Sequence, residues 1–266
     1  MRIIALYKTF SGEEFVEASI ESIYNSVSEI VMVHSNVSWS GEKGNTVLPV
    51  VQRWAEEKDK KNKIINLVGD FRDQNAQYNH GLSFIRRKLG FYDFVLLIDT
   101  DEVWDRDNLY RAGCALHRWK QQVLLYTTQL YTYVKSPFFR IEPPERCRPT
   151  VFITRQVSEF KSARGWDLKP RRPMINVFFH HFTLVRKNEE EVKRKIRNSA
   201  IGDGSGTGET QKLTENWFED IWDNMPDVEN LHYQENYRDW WKSIKEVSLD
   251  DLPETLRNKP IIKQFM

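Results

Sequence analysis

The chain has 266 residues, and its 39 lysines and arginines nearly balance its 38 aspartates and glutamates. This length permits one large domain or two small ones with a substantial core. A net charge near zero argues against a global nucleic-acid-binding surface, although local basic clusters remain at 169–172 and 186–197. The two cysteines are too few for a disulfide framework and fit a reducing compartment.

The N-terminal residues 1–6 form an apolar stretch that is too short for a signal peptide. No stretch approaches the length of a membrane span. From these two observations we expect a soluble protein of the cytoplasm.

Strand and helix patterns alternate through the first hundred residues. Short apolar runs predict strands at 3–7, 29–34, 64–68 and 94–98. Helical spacing predicts helices through residue 24, at 47–58 and at 74–89, the first opened by a capping box of Ser11 and Glu14. This alternation predicts an α/β fold with a mostly parallel central sheet flanked by helices.

The second half of the chain is less regular. The patterns predict a helix ending at Trp119, strands at 123–133, 151–154 and 174–179, and a charged helix at 188–198. Glycine at every second position of 202–208 indicates either a flexible linker or a mobile loop over a site. We therefore divide the chain into a main domain, 1–200, and a helical, Trp-rich C-terminal extension, 201–266, packed on the same domain.

The apolar run 94–98 leads directly into Asp99-Thr100-Asp101-Glu102. Ligands of open α/β sheets bind at the carboxyl ends of the strands. Two carboxylates one residue apart at such an end can bind one hard cation, whose other ligands are water and phosphate oxygens. The alternative is that Asp101 and Asp105 cap the following helix. The Gly-rich dinucleotide fingerprint and the P-loop motif are both missing after the first strand.

With these motifs in order, the chain resembles the GT-A-fold glycosyltransferases, especially family-2-like enzymes of bacteria and their phages. Four stretches carry the resemblance: the first strand followed by 8–15, Asp73-Gln-Asn75, the Asp99-x-Asp101 motif, and the segment 181–186 before a Lys-rich helix. They span residues 1 to about 200. The chain departs from the family where Ser35 and Asn36 stand in place of a frequent acidic pair.

The resemblance implies a nucleotide-diphosphate sugar donor, with a UDP-sugar favoured, and a divalent cation, Mn²⁺ or Mg²⁺. It implies that Asp101 ligates the cation, and that Asp99 binds the ribose or reaches the cation through water. Because adjacent strand residues face opposite ways, at most one of His180 and His181 can face the cation. His181 is the expected ligand, since the family segment aligns there, and His180 is the alternative. Further expected donor contacts come from Leu6, Tyr7, Asp73 and Asn75.

Glycosyl transfer places negative charge on the leaving diphosphate, which Lys161, Arg164 or Arg186 could stabilise. An inverting reaction also needs a base, for which Asp167 and Glu159 are the candidates, although either could be an ordinary surface acid. A retaining reaction needs no such base.

Two other functions remain open at this stage, namely a nucleotidyltransferase and a non-catalytic carbohydrate-binding protein on the same fold. The expected acceptor is a hydroxyl group of a glycan, a protein, a small molecule or, as a minority hypothesis, a modified base in DNA.

Overall fold

The computed structural model describes residues 1–119, 122–144, 149–165, 167–202, 222–225 and 243–266. The predicted glycine-rich loop, from residue 203 onward, and the predicted helical surroundings of Trp217, Trp240 and Trp241 lie outside these ranges. In the described part, no helix combines the length and the hydropathy that crossing a membrane requires.

The described strands form one mixed sheet. They are β1 (Ile3–Thr9), β2 (Glu29–Ser35), β3 (Ile64–Gly69), β4 (Phe94–Asp99), β5 (Glu102–Val103), β6 (Leu125–Val134), β7 (Phe139–Glu142), β8 (Thr150–Thr154), β9 (Arg171–Leu184) and β10 (Ser243–Glu246). Their order is β10-β7-β6-β8-β4-β1-β2-β3, and β9 pairs with both β6 and β5. The first four strands are parallel, as predicted, and β8 is antiparallel to both of its neighbours.

Helices cover both faces of this sheet. They are α1 (Glu13–Ile23), α2 (Val47–Lys58), α3 (Gln74–Phe84), α4 (Arg106–Trp119), α5 (Glu189–Gly202), α6 (Glu254–Arg257) and α7 (Pro260–Lys263), and a π-helical turn, Ile85–Leu89, extends α3. Alternate residues of β1 enter different cores: Tyr7 packs in the core with α1 and α2, and Leu6 packs in the core with α3. The α/β fold class is therefore confirmed.

The C-terminal residues pack on the same body as the N-terminal half. A third core joins Phe15 of α1 and Phe182 of β9 to Leu252, Leu256 and Ile261. The rings of Phe15 and Phe182 stack with centroids 4.9 Å apart. The segment after residue 248 therefore covers apolar surface, while the predicted division of the chain at residue 200 stays a prediction.

The start of α1 corrects one sequence prediction. Its N-cap is Gly12, with φ 101°, and no side chain caps the helix, so the predicted capping box of Ser11 and Glu14 is wrong. The carbonyl oxygen of Ser11 instead accepts a hydrogen bond from Oγ1 of Thr100, 3.1 Å away. A Cβ atom at Gly12 would lie 2.5 Å from that same Oγ1. The left-handed glycine thus lets α1 begin directly against the end of β4.

Candidate functional site

Charged side chains meet where β1 and β4 end. The parallel register places Lys8 beside Asp99, and the Lys8 Nζ atom lies 2.9 Å from the Asp99 carboxylate. A cavity of about 70 Å³ opens at this edge, with Lys8, Trp39, Asp101 and Lys195 among its lining residues. Whole small-molecule sites are roughly 300–1,000 Å³. The cavity therefore accommodates a cation or a phosphate-sized group and is smaller than a complete nucleotide sugar.

Asp99 is surrounded by donors. Its carboxylate accepts from Lys8, from Arg164 Nη2 at 2.8 Å and from the Tyr78 hydroxyl at 3.0 Å. Burial by itself would raise the pKa of Asp99, but the charges of Arg164 and Lys8 outweigh it and hold that pKa below its ordinary value. Asp99 is therefore ionised, and both of its oxygens are engaged.

Glu102 supports this arrangement from beneath. Its Oε2 accepts from the Asp99 backbone N–H at 3.0 Å, and its Oε1 accepts from Arg164 Nη2 at 2.6 Å. Burial raises the pKa of Glu102 to about 7 in spite of the nearby Arg164 charge, and the charge of Asp99 adds to the increase. No role for Glu102 follows from the sequence patterns above, although its place directly after the Asp-x-Asp motif is the available signal.

Asp101 is fully buried and unevenly paired. Its Oδ2 accepts from Arg186 Nη2 at 2.6 Å and from Lys195 Nζ at 3.0 Å. Its Oδ1 has no hydrogen-bond partner among the described residues. Burial would raise the pKa of Asp101, but Lys195 and Arg186 hold it well below the ordinary value. The site therefore contains a buried carboxylate with one oxygen left to accept a ligand.

The two histidines face opposite ways. Pairing of β5 with β9 places His181 opposite Glu102 and His180 opposite Val103. Both ring nitrogens of His180 are engaged, Nδ1 with the Tyr133 hydroxyl and Nε2 with Asp105, each at 2.8 Å. His181 instead turns its Nε2 toward Asp101 Oδ1, at a distance of 3.7 Å. Burial lowers the pKa of His181 to about 4, so its imidazole is neutral near pH 7.

The unpartnered oxygen of Asp101 and the neutral ring of His181 fit a divalent cation. Carboxylate oxygen and imidazole nitrogen together suit Mn²⁺, and Mg²⁺ commonly takes one or two carboxylates plus water and phosphate oxygens. No group of three or more His, Cys, Asp or Glu residues suited to a metal ion occurs in the described part of the chain. Further ligands would therefore be water or substrate oxygens.

The other predicted donor contacts lie apart from the cavity. Leu6 and Tyr7 are fully buried in the two cores, and the Tyr7 hydroxyl hydrogen-bonds Ser19 Oγ at 2.9 Å. Asp73 caps α3, accepting from the Ala76 N–H at 2.8 Å, and Asn75 follows it in the first turn. None of these four residues lines the cavity. The nucleobase contacts of Leu6, Tyr7 and Asp73, and the role of Asn75 in fixing the loop, stay predictions.

The segment before β9 contains four predicted site residues, of which three are exposed and one points into the charged cluster. Glu159, Lys161 and Asp167 are exposed, and Asp167 accepts a hydrogen bond from Ser162 Oγ. That hydrogen bond lowers the pKa of Asp167. Arg164, by contrast, adopts a left-handed backbone conformation with φ 49° and points inward to Asp99 and Glu102. The structure thus brings Arg164 into the charged cluster and leaves the two candidate bases outside it.

The chain matches no protein-family model and no curated protein. It is similar to the crystal structure of S. aureus TarS 1–349 in complex with UDP-GlcNAc, with a TM-score of 0.44, 13% identity and coverage of 84% of this chain and 74% of that one. It is also similar to glucosyl-3-phosphoglycerate synthase from Mycobacterium tuberculosis, in complex with Mn²⁺, UDP and glucosyl-3-phosphoglycerate. That match has a TM-score of 0.43, 11% identity and coverage of 78% and 81%.

A third similar structure is 4-diphosphocytidyl-2C-methyl-D-erythritol synthase from Anaerococcus prevotii DSM 20548, with a TM-score of 0.45, 11% identity and coverage of 75% and 96%. All three similarities have TM-scores below 0.5 and identities of 11–13%. At such identities and scores, the chemistry of this chain has to be argued from its own residues.

Proposed function

We propose that this chain is a glycosyltransferase, which moves a sugar from a nucleoside-diphosphate sugar to a hydroxyl acceptor. The observation that carries the proposal is the pair of Asp101 Oδ1 and His181 Nε2, 3.7 Å apart at the carboxyl edge of the sheet. Lys8 and Lys195 line the same small cavity and supply positive charge for a diphosphate.

Asp101 and His181 would hold a divalent cation, Mn²⁺ or Mg²⁺. A cation bound there supplies Lewis-acid stabilisation of the negative charge that develops on the leaving diphosphate. Asp99 is held by Lys8, Arg164 and Tyr78, so it is positioned for the ribose hydroxyls or for a water on the cation. Its role as a direct metal ligand is the less favoured assignment, because both of its oxygens already have donors.

In the reaction, the bond between the anomeric carbon and the diphosphate oxygen breaks, and its electron pair leaves with the diphosphate. The acceptor oxygen forms the new bond to that carbon, and its proton passes to a base or to the leaving group. Asp167 and Glu159 stay the proposed bases for an inverting reaction. Glu102 has a pKa near 7, but Arg164 and the Asp99 backbone engage it away from the cavity wall.

Trp39 adds a surface for the donor that the sequence analysis did not identify. It lines the cavity from the loop after β2, where the chain lacks the acidic pair frequent in the family. The Lys8 Nζ atom lies 5.5 Å from the centroid of its ring. We propose that the indole face stacks on the base or the sugar of the donor.

A panel of UDP-, GDP-, CDP- and dTDP-sugars, incubated with Mn²⁺ or with chelator, tests the proposal. We expect cation-dependent release of a nucleoside diphosphate from at least one donor. Release of pyrophosphate from a nucleoside triphosphate and a sugar phosphate would identify a nucleotidyltransferase instead. Binding of a sugar with no turnover of any donor would indicate a carbohydrate-binding protein.

The acceptor is proposed only as a hydroxyl group. Once the donor is identified, products formed with glycans, small molecules, proteins and hydroxymethylated DNA can be compared by mass spectrometry. An increase in mass by one sugar residue identifies the acceptor class.

A further inference from the structure

Two basic side chains, those of Arg186 and Lys195, bind Oδ2 of Asp101, and their other contacts differ. The Arg186 side chain is 3% exposed, and its Nη1 donates to the carbonyl oxygens of Phe182 and Val185 at 2.8 and 2.7 Å. The Lys195 side chain is 25% exposed and reaches Asp101 Oδ2 at 3.0 Å. Arg186 is therefore fixed by the backbone of β9 and the residue that follows it, whereas the Lys195 ammonium group makes one hydrogen bond to a described residue, the bond to Asp101.

Lys195 lines the cavity from α5, and its neighbour in the helix contacts other parts of the chain near this cavity. The preceding residue, Arg194, donates to Glu42 at 2.6 Å, in the loop after β2. Its guanidinium also lies 5.6 Å from the ring centroid of Phe10, another residue of the cavity wall. Arg194 therefore holds α5 beside the cavity, and Lys195 is the side chain by which this helix reaches Asp101.

The charges of the site make Lys195 a competitor of a bound cation. Arg186 alone balances the single charge of Asp101, and the free oxygen of that carboxylate faces His181. A divalent cation on this oxygen would lie within a few ångströms of the Lys195 ammonium group. Like charges repel strongly in a buried site, where little water screens them. A diphosphate placed beside the cation removes this repulsion. Its negatively charged oxygens can bind the divalent cation and the Lys195 ammonium group at the same time.

We propose that Lys195 is an exchangeable phosphate-binding residue. It holds Asp101 while the donor is absent and moves to a phosphate oxygen of the donor when the cation and the donor bind. The phosphate half of this inference rests on the proposed function, while the competition between Lys195 and a cation for Asp101 does not.

Binding measurements on three variants test the exchange. Lys195→Met removes the charge and keeps much of the apolar length, and Lys195→Arg keeps the charge. Lys193→Met is the matched control, because Lys193 lies on the same helix and pairs with Glu189 at the surface. Mn²⁺ binding without nucleotide is measured from the electron paramagnetic resonance signal of the free ion. Binding of UDP, GDP, CDP and ADP is then measured by calorimetry at saturating Mn²⁺.

We expect Lys195→Met to bind Mn²⁺ about tenfold more tightly, a change of about 1.4 kcal/mol, and to bind the preferred diphosphate about tenfold more weakly. Lys195→Arg and Lys193→Met should resemble the wild type in both measurements. Unchanged or weaker Mn²⁺ binding by Lys195→Met overturns the proposed competition, and unchanged diphosphate binding overturns the proposed transfer to phosphate. If both shifts occur but no nucleotide sugar is turned over by the wild type, the inference about Lys195 stands and only the proposed glycosyl transfer fails.

Discussion

At the scale of single residues, the site is defined by how each carboxylate is paired. Asp99 has donors on both oxygens, Glu102 is engaged by Arg164 and a backbone N–H, and Asp101 keeps one oxygen unpartnered among the described residues. The three acids are separated by at most three positions in sequence, yet their surroundings give them different protonation behaviour. Asp101 is thereby the best candidate for a ligand of an incoming cation.

The first prediction concerns Asp101→Asn. The amide cannot balance Arg186 and Lys195, so we expect transfer to fall more than tenfold, at least about 1.4 kcal/mol of barrier. Leaving the buried Arg186 without its partner should also lower the free energy of unfolding by about 3 kcal/mol. Asp107→Asn, at an exposed position of α4, is the matched control. Activity per folded molecule, with the folded fraction taken from circular dichroism, is the measurement, and retention of more than a tenth of it would contradict the assignment.

The second prediction concerns His181 and pH. The pKa of His181 is lowered from 6.5 to about 4 in the folded chain, so the unfolded chain binds more protons between these values. The contribution of His181 to stability is therefore fully present above pH 6.5 and is lost as the pH falls toward 4. Glu102 has a raised pKa and opposes this trend, so the wild type must be compared with a variant of His181 alone.

Urea unfolding of the wild type and of His181→Gln between pH 4.5 and 7.5 provides that comparison. The difference in unfolding free energy should shift in favour of the wild type by roughly 2–3 kcal/mol as the pH rises. The contributions of Glu102, Asp99 and Asp101 largely cancel in the difference. A difference that stays flat across the range would mean that His181 is not held neutral by burial.

At the scale of secondary-structure elements, close approaches of the backbone bring the site together. Gly12 starts α1 against the end of β4, and Gly81 lets α3 lie against β1 and β2. A Cβ atom at Gly81 would lie 2.4 Å from Leu6 Cδ1 and 2.7 Å from Val33 Cγ2. The same helix carries Tyr78, which donates to Asp99. The position of α3 therefore determines how the core around Leu6 and Val33 packs and where the Tyr78 hydroxyl lies relative to Asp99.

The third prediction compares two helical glycines. Gly81→Ala should destabilise the chain by about 1–3 kcal/mol. The added methyl group would overlap the side chains of Leu6 in β1 and Val33 in β2, which would have to shift within the core. Gly113→Ala is the control in α4, where nothing lies within 4 Å of the added atom. It should stabilise the chain by about 1 kcal/mol through helix propensity. Chemical denaturation measures both changes, and the same sign for the two variants would contradict the packing described for α3.

At the scale of the whole molecule, one body joins the N-terminal sheet to the described C-terminal helices through the core of Phe15, Phe182, Leu252 and Leu256. The site lies at the carboxyl edge of this body, where β1, β4 and α5 each contribute a charged residue and β9 contributes the neutral imidazole of His181. Ligands that join these elements should therefore stabilise the entire fold by mass action.

The fourth prediction follows from that linkage. A nucleoside diphosphate at 100 times its dissociation constant should add about 2.7 kcal/mol of stability, and only when Mn²⁺ or Mg²⁺ is present. Thermal unfolding with diphosphate, with and without chelator, measures the effect, and the cation alone is the control. Stabilisation that survives the chelator would show that Lys and Arg side chains bind the phosphates without a cation.

The sequence by itself determined the alternating first half of the fold and the position of the Asp99–Asp101 motif at a strand end, because buried strands and helices leave periodic apolar patterns. Five of the side chains that meet there, those of Asp99, Asp101, His181, Arg164 and Arg186, were also named from the sequence and the family resemblance. Only the tertiary structure decided that Glu102 and Lys195 join them, and that Glu159 and Asp167 lie outside. The tertiary structure also shows that Gly12, and not the expected Ser11, is the N-cap of α1. These outcomes depend on contacts between residues far apart in the chain, such as Lys195 with Asp101 and Gly12 with Thr100, and local patterns carry no record of such contacts.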